Sequence, residues 1–206
     1  ENHEAARSLL QTSLAWALTD NPVYAQQARD LLAKITAWPI WSVDASQAGA
    51  LERGTIAAAY AMAYDTIYNT LSVVDRNTFG RRLAREAEYL EAISRTGAFW
   101  ALDQRGNNWR PIIAAAIGLT GLGLDHYVPS SDMIVNATQK MKGQVDTMFD
   151  ALGAYGESVS YYAFGMEHWV EFAEALKVNG GEDLFQYHNG AFGKAITWFR
   201  HEVSPN

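Results

Sequence analysis

Between Gly153 and Gly165 the chain reads GAYGESVSYYAFG, which sets one carboxylate, Glu157, and two adjacent phenols, Tyr161 and Tyr162, between a glycine-punctuated loop and a helical pattern. A phenol has an ordinary pKa near 10, and it takes and returns a proton where positive charge or hydrogen bonds lower that value. Gly153 and Gly156 permit a sharp turn, and Glu157 or Ser158 can open the helix by accepting from its free N–H groups. The phenols then fall in the first turns of a helix, close to a loop end, where clefts are usually lined. Helical neighbours point about 100° apart, so one phenol faces a cleft and the other packs. The competing reading is that both are core, because aromatic side chains dominate cores whatever the function.

A second polar cluster precedes an apolar run: Arg105, Gly106, Asn107, Asn108, Trp109 and Arg110. Its two amides are neutral donors, and either one can instead simply cap the helix that follows. Arg105 and Arg110 suit bidentate capture of a carboxylate, though each is more often a solvated surface residue. His168 lies seven residues after Tyr161, on roughly the same helical face but about 10 Å along the axis, too far for direct proton exchange. His126 and His188 show no metal-ligand spacing, so neither metal nor other cofactor is expected.

The elements that must position these groups are helices. Leu9, Leu10, Leu14, Ala15 and Leu18 follow helical spacing within Glu4–Leu18, and Asn21 with Pro22 stops one helix and starts the next. The second carries Tyr24, Ala28, Leu31, Leu32 and Ile35 and ends before Pro39, leaving Trp38 and Trp41 in an aromatic turn. A third runs from about Gln47 to Asn69, with Asp65 expected as a buried acid between helix layers. A fourth opens at Ser72–Asp75 and closes at Gly97. Ile112–Leu124 is apolar on nearly all sides and must be buried. Ser130 or Ser131 caps a helix reaching about Leu152; the helix with the phenols runs to Lys177, ended by Gly180 and Gly181; a last helix spans about Gly190 to Val203. No β-branched alternation is sustained. Short connections between such helices imply stacked antiparallel hairpins in two layers.

The chain of 206 residues suits a single domain, 1–206. Its net charge of −7 argues against a nucleic-acid surface. Ile112–Leu124 is shorter than the roughly 20 residues needed to span a bilayer. Cysteine is absent, which excludes disulfides and thiolate metal sites without fixing the compartment. The missing initiator Met and abrupt end point to a processed protein or a piece of something longer.

Four stretches, LTDNPVYAQQARDLLAKITAWPIW, AYDTIYNTL with SVVDRNTF, GNNWRPIIAAAIGLTGLGL and GESVSYYAFG, occur in an order that resembles the helical domain of the heparinase II/III-like polysaccharide lyases, a group that includes alginate lyases. The resemblance implies an all-α, incomplete (α/α) toroid, a bacterial periplasmic or secreted setting, and β-elimination at a uronic acid of an anionic polysaccharide. It also implies a C-terminal β-sandwich domain, which this chain lacks. By the same resemblance Tyr161 is the base and acid, with Tyr162 the alternative, and Asn108 neutralises the uronate carboxylate. Asn107, Trp109, Arg110, Glu157, His168 and Arg105 are then candidates for substrate binding. Where the family sometimes has His after the Asn, this chain has Trp109, so no histidine role carries over. Two other readings compete: a glycoside hydrolase on a related barrel using Asp103 and Glu157, and a non-catalytic carbohydrate-binding or packing module.

Overall fold

A computed structural model describes residues 2–42, 49–95, 106–125 and 131–202. Eight helices appear among them: α1 Asn2–Thr19, α2 Pro22–Thr36, α3 Ala50–Ile67, α4 Val73–Ser94, α5 Trp109–Leu124, α6 Ser131–Met148, α7 Val159–Val178 and α8 Tyr187–Glu202. Local chemistry sets several of their ends. Asn21 Oδ1 accepts from the Val23 N–H at 3.1 Å with Pro22 at the first helical position, and Ser72 Oγ accepts from the Asp75 N–H at 3.1 Å. Asp20 and Asn21 alone separate α1 from α2, and the two helices pack on each other, so they run antiparallel. Among the described residues no strand forms, and the one ladder contact is an isolated bridge between Phe149 and Tyr155.

Two rows result. Helices α1, α3, α5 and α7 lie side by side, each touching the next; α2 packs on α1 and α3, α4 on α3 and α5, α6 on α5, and α8 on α6. The first row curves, because its end members α1 and α7 both line one cavity of about 450 Å³ over Thr55, Ala58, Ala59 and Met62 of α3. Helix α5 is the centre. Every residue of it is buried except Trp109 and Leu122, as its lack of acidic and nearly all charged residues requires. Its neighbours come close through glycine. A Cβ built at Gly118 would stand 2.3 Å from the Phe172 ring of α7, and one at Gly54 of α3 would stand 3.4 Å from Ile112.

One buried ionic cluster joins the rows. Glu86 of α4 lies 3.3 Å from Arg53 of α3 and 2.9 Å from Arg82, whose guanidiniums stack over Tyr89 and Trp41 respectively. The Arg82 contact is short but poorly aligned, so its Nη2 and both Nε atoms lack a hydrogen bond among the described residues. Burial pushes the Glu86 carboxyl up and the Arg82 guanidinium down, outweighing their mutual attraction.

The structure corrects four expectations. Asp65 is exposed rather than buried between layers. Helix α5 begins at Trp109, three residues before the uninterrupted apolar run. Helix α6 stops at Met148, short of Leu152, because the Asp150 carboxylate accepts from the Leu152 and Ala154 N–H groups, each at 2.8 Å, and turns the chain back. The last helix is preceded by left-handed residues His188, Asn189 and Gly190, so its regular part starts beyond them. Gln47, Gly97, Trp100, Asp103, Arg105, His126 and Ser130 lie outside the described residues.

Candidate active site

The loop between α6 and α7 is built to hold one shape. Gly153 has φ +89°, and a Cβ there would stand 2.6 Å from the backbone of Lys194 in α8, so both conformation and space demand glycine. The Gly156 N–H donates to the Met148 carbonyl at 2.8 Å, closing the loop on the end of α6. Ser158, in an extended conformation, caps α7 by accepting from the Tyr161 N–H at 3.5 Å. Of the two residues able to open this helix, Ser158 does so. Glu157 turns elsewhere.

The Glu157 carboxylate accepts from the Tyr155 hydroxyl at 3.4 Å. Half-buried, it is pushed above the usual carboxylate range by desolvation, with the nearby Asn108 backbone N–H and the Tyr155 hydroxyl pulling the other way. The Tyr155 hydroxyl in turn accepts from Gln144 Nε2 at 3.0 Å. Burial raises the Tyr155 phenol far above its ordinary value, and Glu157 adds to the rise. That phenol stays protonated and cannot serve as a base.

The start of α5 divides its two amides. Asn107 Oδ1 accepts from the N–H groups of Trp109 at 2.9 Å and Arg110 at 3.2 Å, the capping role. Asn108 is 6% exposed, and its side-chain amide has no hydrogen-bond partner among the described residues. Helix α7 rests on it: a Cβ at Gly165 would stand 3.2 Å from the Asn108 carbonyl oxygen and 3.3 Å from its Cα. Tyr161 precedes Gly165 by four residues, so it projects from the same face of α7, about 6 Å nearer the N-terminus.

The adjacent phenols part company. Tyr161 is 54% exposed, whereas Tyr162 is half-buried among Phe149, Tyr155, Trp198 and Phe199 with ring centroids 5.3–6.2 Å away, and its burial raises its pKa. Arg110 is buried and reaches Thr147 Oγ1 of α6 at 3.4 Å, so it points between rows rather than toward Tyr161. Trp109 packs half-buried against the core. His168, nearly buried, pairs its Nδ1 with Glu171 Oε2 at 2.8 Å and lines the cavity between α1, α3 and α7, two turns from Tyr161. Arg105, and Asp103 of the hydrolase reading, lie outside the described residues. No group of three or more His, Asp or Glu among the described residues is placed to hold a metal ion.

Tyr155 and Gln144 escaped the sequence reading. Tyr155 stands two residues before Glu157, a spacing that puts both side chains on one side of extended chain, but nothing in the sequence announced that the loop was extended there. Gln144 carries no local signal at all, since its partner arrives by tertiary packing.

The fold and these side chains define a curved helical-hairpin domain with a phenol, a free amide and a carboxylate gathered where α5 and α7 begin. The chain belongs to the alginate lyase family, whose family model matches residues 3–206. Over 88 residues it is 36% identical to an exo-oligoalginate lyase of Saccharophagus degradans (strain 2-40 / ATCC 43961 / DSM 17024), a stretch that is 40% of this chain and 12% of that protein. The matched stretch thus covers far less than two thirds of the relative's length.

Proposed function

We propose that the protein to which this chain belongs is a polysaccharide lyase cleaving a uronic-acid-containing polymer of the alginate class by β-elimination. Tyr161 takes the C5 proton of the uronate. The electron pair of that C–H bond becomes the C4=C5 double bond as the C4–O4 bond breaks, and the phenol returns a proton to the leaving O4. Asn108 donates its amide to the C6 carboxylate, holding the negative charge that develops when the proton leaves. The N-terminus of α7 directs partial positive charge to the same place. Asn107, engaged in capping, supports the backbone of its neighbour. Arg105 and His168 belong to further substrate contacts. By the resemblance noted above, the protein is akin to the heparinase II/III-like lyases, with the helical rows as part of an (α/α) toroid, a β-sandwich partner domain, and a periplasmic or secreted setting.

One observation carries this reading: α7 closes on α5 through Gly165 over Asn108, which leaves an open phenol one turn above a mostly buried residue whose side-chain amide has no hydrogen-bond partner among the described residues. Incubation with alginate tests it. Ultraviolet absorbance from an unsaturated uronate end is expected, and reducing ends without that absorbance would mean hydrolysis. A second reading, a saccharide-binding module, is favoured by the lack of any described side-chain hydrogen bond to the Tyr161 hydroxyl that would activate it; binding without turnover by the intact protein would establish it.

A further inference from the structure

The cavity of about 450 Å³ between α1, α3 and α7 plays no part in the proton-transfer scheme, yet it begins beside the residue that scheme depends on. Phe164, His168 and Glu171 line it, and they follow Tyr161 at three, seven and ten residues, so all four share one face of α7. A row of sugar rings that crosses Tyr161 and continues along that face reaches His168 after about 10 Å. The space is that of an ordinary small-ligand site.

One residue of the wall is aimed into it. His168 is 9% exposed, and its Nδ1 lies 2.8 Å from Glu171 Oε2. A carboxylate only accepts, so Nδ1 carries the hydrogen of that bond, and in the neutral ring Nε2 is left as an acceptor. Nε2 has no hydrogen bond among the described residues and is not sealed inside protein, so it opens on the cavity that the ring lines.

The rest of the lining is sorted by chemistry. On the α7 side the Glu167 carboxylate joins Nε2 as an acceptor, and Phe164 offers an exposed apolar ring. The floor, Ala58 and Ala59 of α3, is methyl groups alone. Across from α7, the Arg7 guanidinium and the Gln11 amide of α1 are donors, and Arg7 has no ion pair among the described residues. A uronate ring has the matching sides: hydroxyls along one edge, a carboxylate on the other, and apolar C–H faces between them. A neutral sugar would leave Arg7 without its bidentate partner.

We propose that this cavity binds a second uronate residue of the same polymer, its hydroxyls on His168 Nε2 and Glu167, its ring on Phe164 and its carboxylate on Arg7. Glu171 is the positioning residue that turns His168 toward it. The placement of the polymer rests on the lyase reading given above.

The test uses the intact protein carrying Tyr161→Phe, so that a uronate trimer prepared from alginate binds without turnover, with His168 ring signals followed by NMR and affinity by calorimetry. Saturable movement of those signals is expected. Arg7→Gln, at an exposed position where folding is not at risk, should weaken trimer binding about tenfold and leave a carboxyl-reduced trimer unaffected. His168→Asn keeps a donor for Glu171 but removes Nε2, and should also weaken binding about tenfold; His168→Gln returns a polar atom near that place and should restore part of it. Glu171→Gln should cost about threefold. With Tyr161 present, Arg7→Gln and His168→Asn should raise KM about tenfold and keep kcat within about twofold. A merely structural His168 would lower the thermal midpoint in both its variants and leave KM alone. Absent trimer binding, unmoved His168 signals at saturation, or wild-type trimer affinity in Arg7→Gln overturns the proposal. If the wild-type protein forms no unsaturated product from alginate, the lyase reading falls, and the titration still decides the cavity.

Discussion

Tyr161 and Tyr162 show how one helical step separates an open phenol from a packed one. The first is open at the start of α7, and the second sits in a nest of aromatic rings. In the intact protein, Tyr161→Phe should cut kcat by roughly 10²–10⁴ while leaving KM within about twofold, because it deletes only the oxygen that moves the proton. Initial rates on alginate would show this, and an unimpaired variant would take the base role away from Tyr161. Tyr162→Ala should act on stability instead, costing about 2–4 kcal/mol in denaturant unfolding, since it leaves a hole among Phe149, Tyr155, Trp198 and Phe199. Much of this pair was legible in the sequence through the 100° rule alone. Which phenol packs was not, because the rings that cover Tyr162 come from α6, the loop and α8.

At the scale of elements, α5 is the piece whose environment its own composition declares. Ala115→Asp should destabilise by about 3–5 kcal/mol or prevent folding, as an unpaired charge in a fully buried helix. Gly118→Ala should cost about 1–3 kcal/mol, because the added methyl meets the Phe172 ring. The cluster around Glu86 makes a different demand: Glu86→Ala leaves two buried guanidiniums with no counter-charge and should cost about 3–5 kcal/mol, measurable as a lowered urea midpoint. Helix starts such as Asn21–Pro22 and Ser72–Asp75 could be read directly, since the cap and its acceptor lie within three residues of each other. The end of α6 could not. There a side chain, Asp150, competes with the helix for backbone donors and wins. Asp65 was misread for a related reason: its neighbours Tyr64 and Ile67 are buried, but the face between them looks outward.

For the molecule as a whole, acid should loosen the packing of α2 against α4. Burial alone would raise the Asp75 carboxyl, but hydrogen bonds from Arg29 and Ser72 outweigh it and hold the group below its ordinary value. A carboxylate depressed in the folded state contributes stability above its unfolded pKa of about 3.9, and that contribution is lost as pH falls through the lower folded value. The gap in thermal midpoint between wild type and Asp75→Asn should thus be steady above about pH 5 and shrink toward pH 3. Circular dichroism should show helix alone. The two-row arrangement followed from helix count and short connections; the curvature that brings α1 toward α7 depends on contacts distant in sequence and had no local sign.

Gly165 carries one more consequence. Where α7 meets Asn108, no side chain of α7 stands between the helices, so the spacing beneath Tyr161 is set by the Asn108 main chain and the stiff Pro111 ring and not by rotamers that hop in nanoseconds. It should behave as a gauge block. Side-chain breathing will neither widen nor narrow it, so the start of α7 keeps one height above the start of α5. Gly165→Ala would then act as a calibrated shim: a few tenths of an ångström of added width, read out as a lowered thermal midpoint with the rest of α7 unshifted.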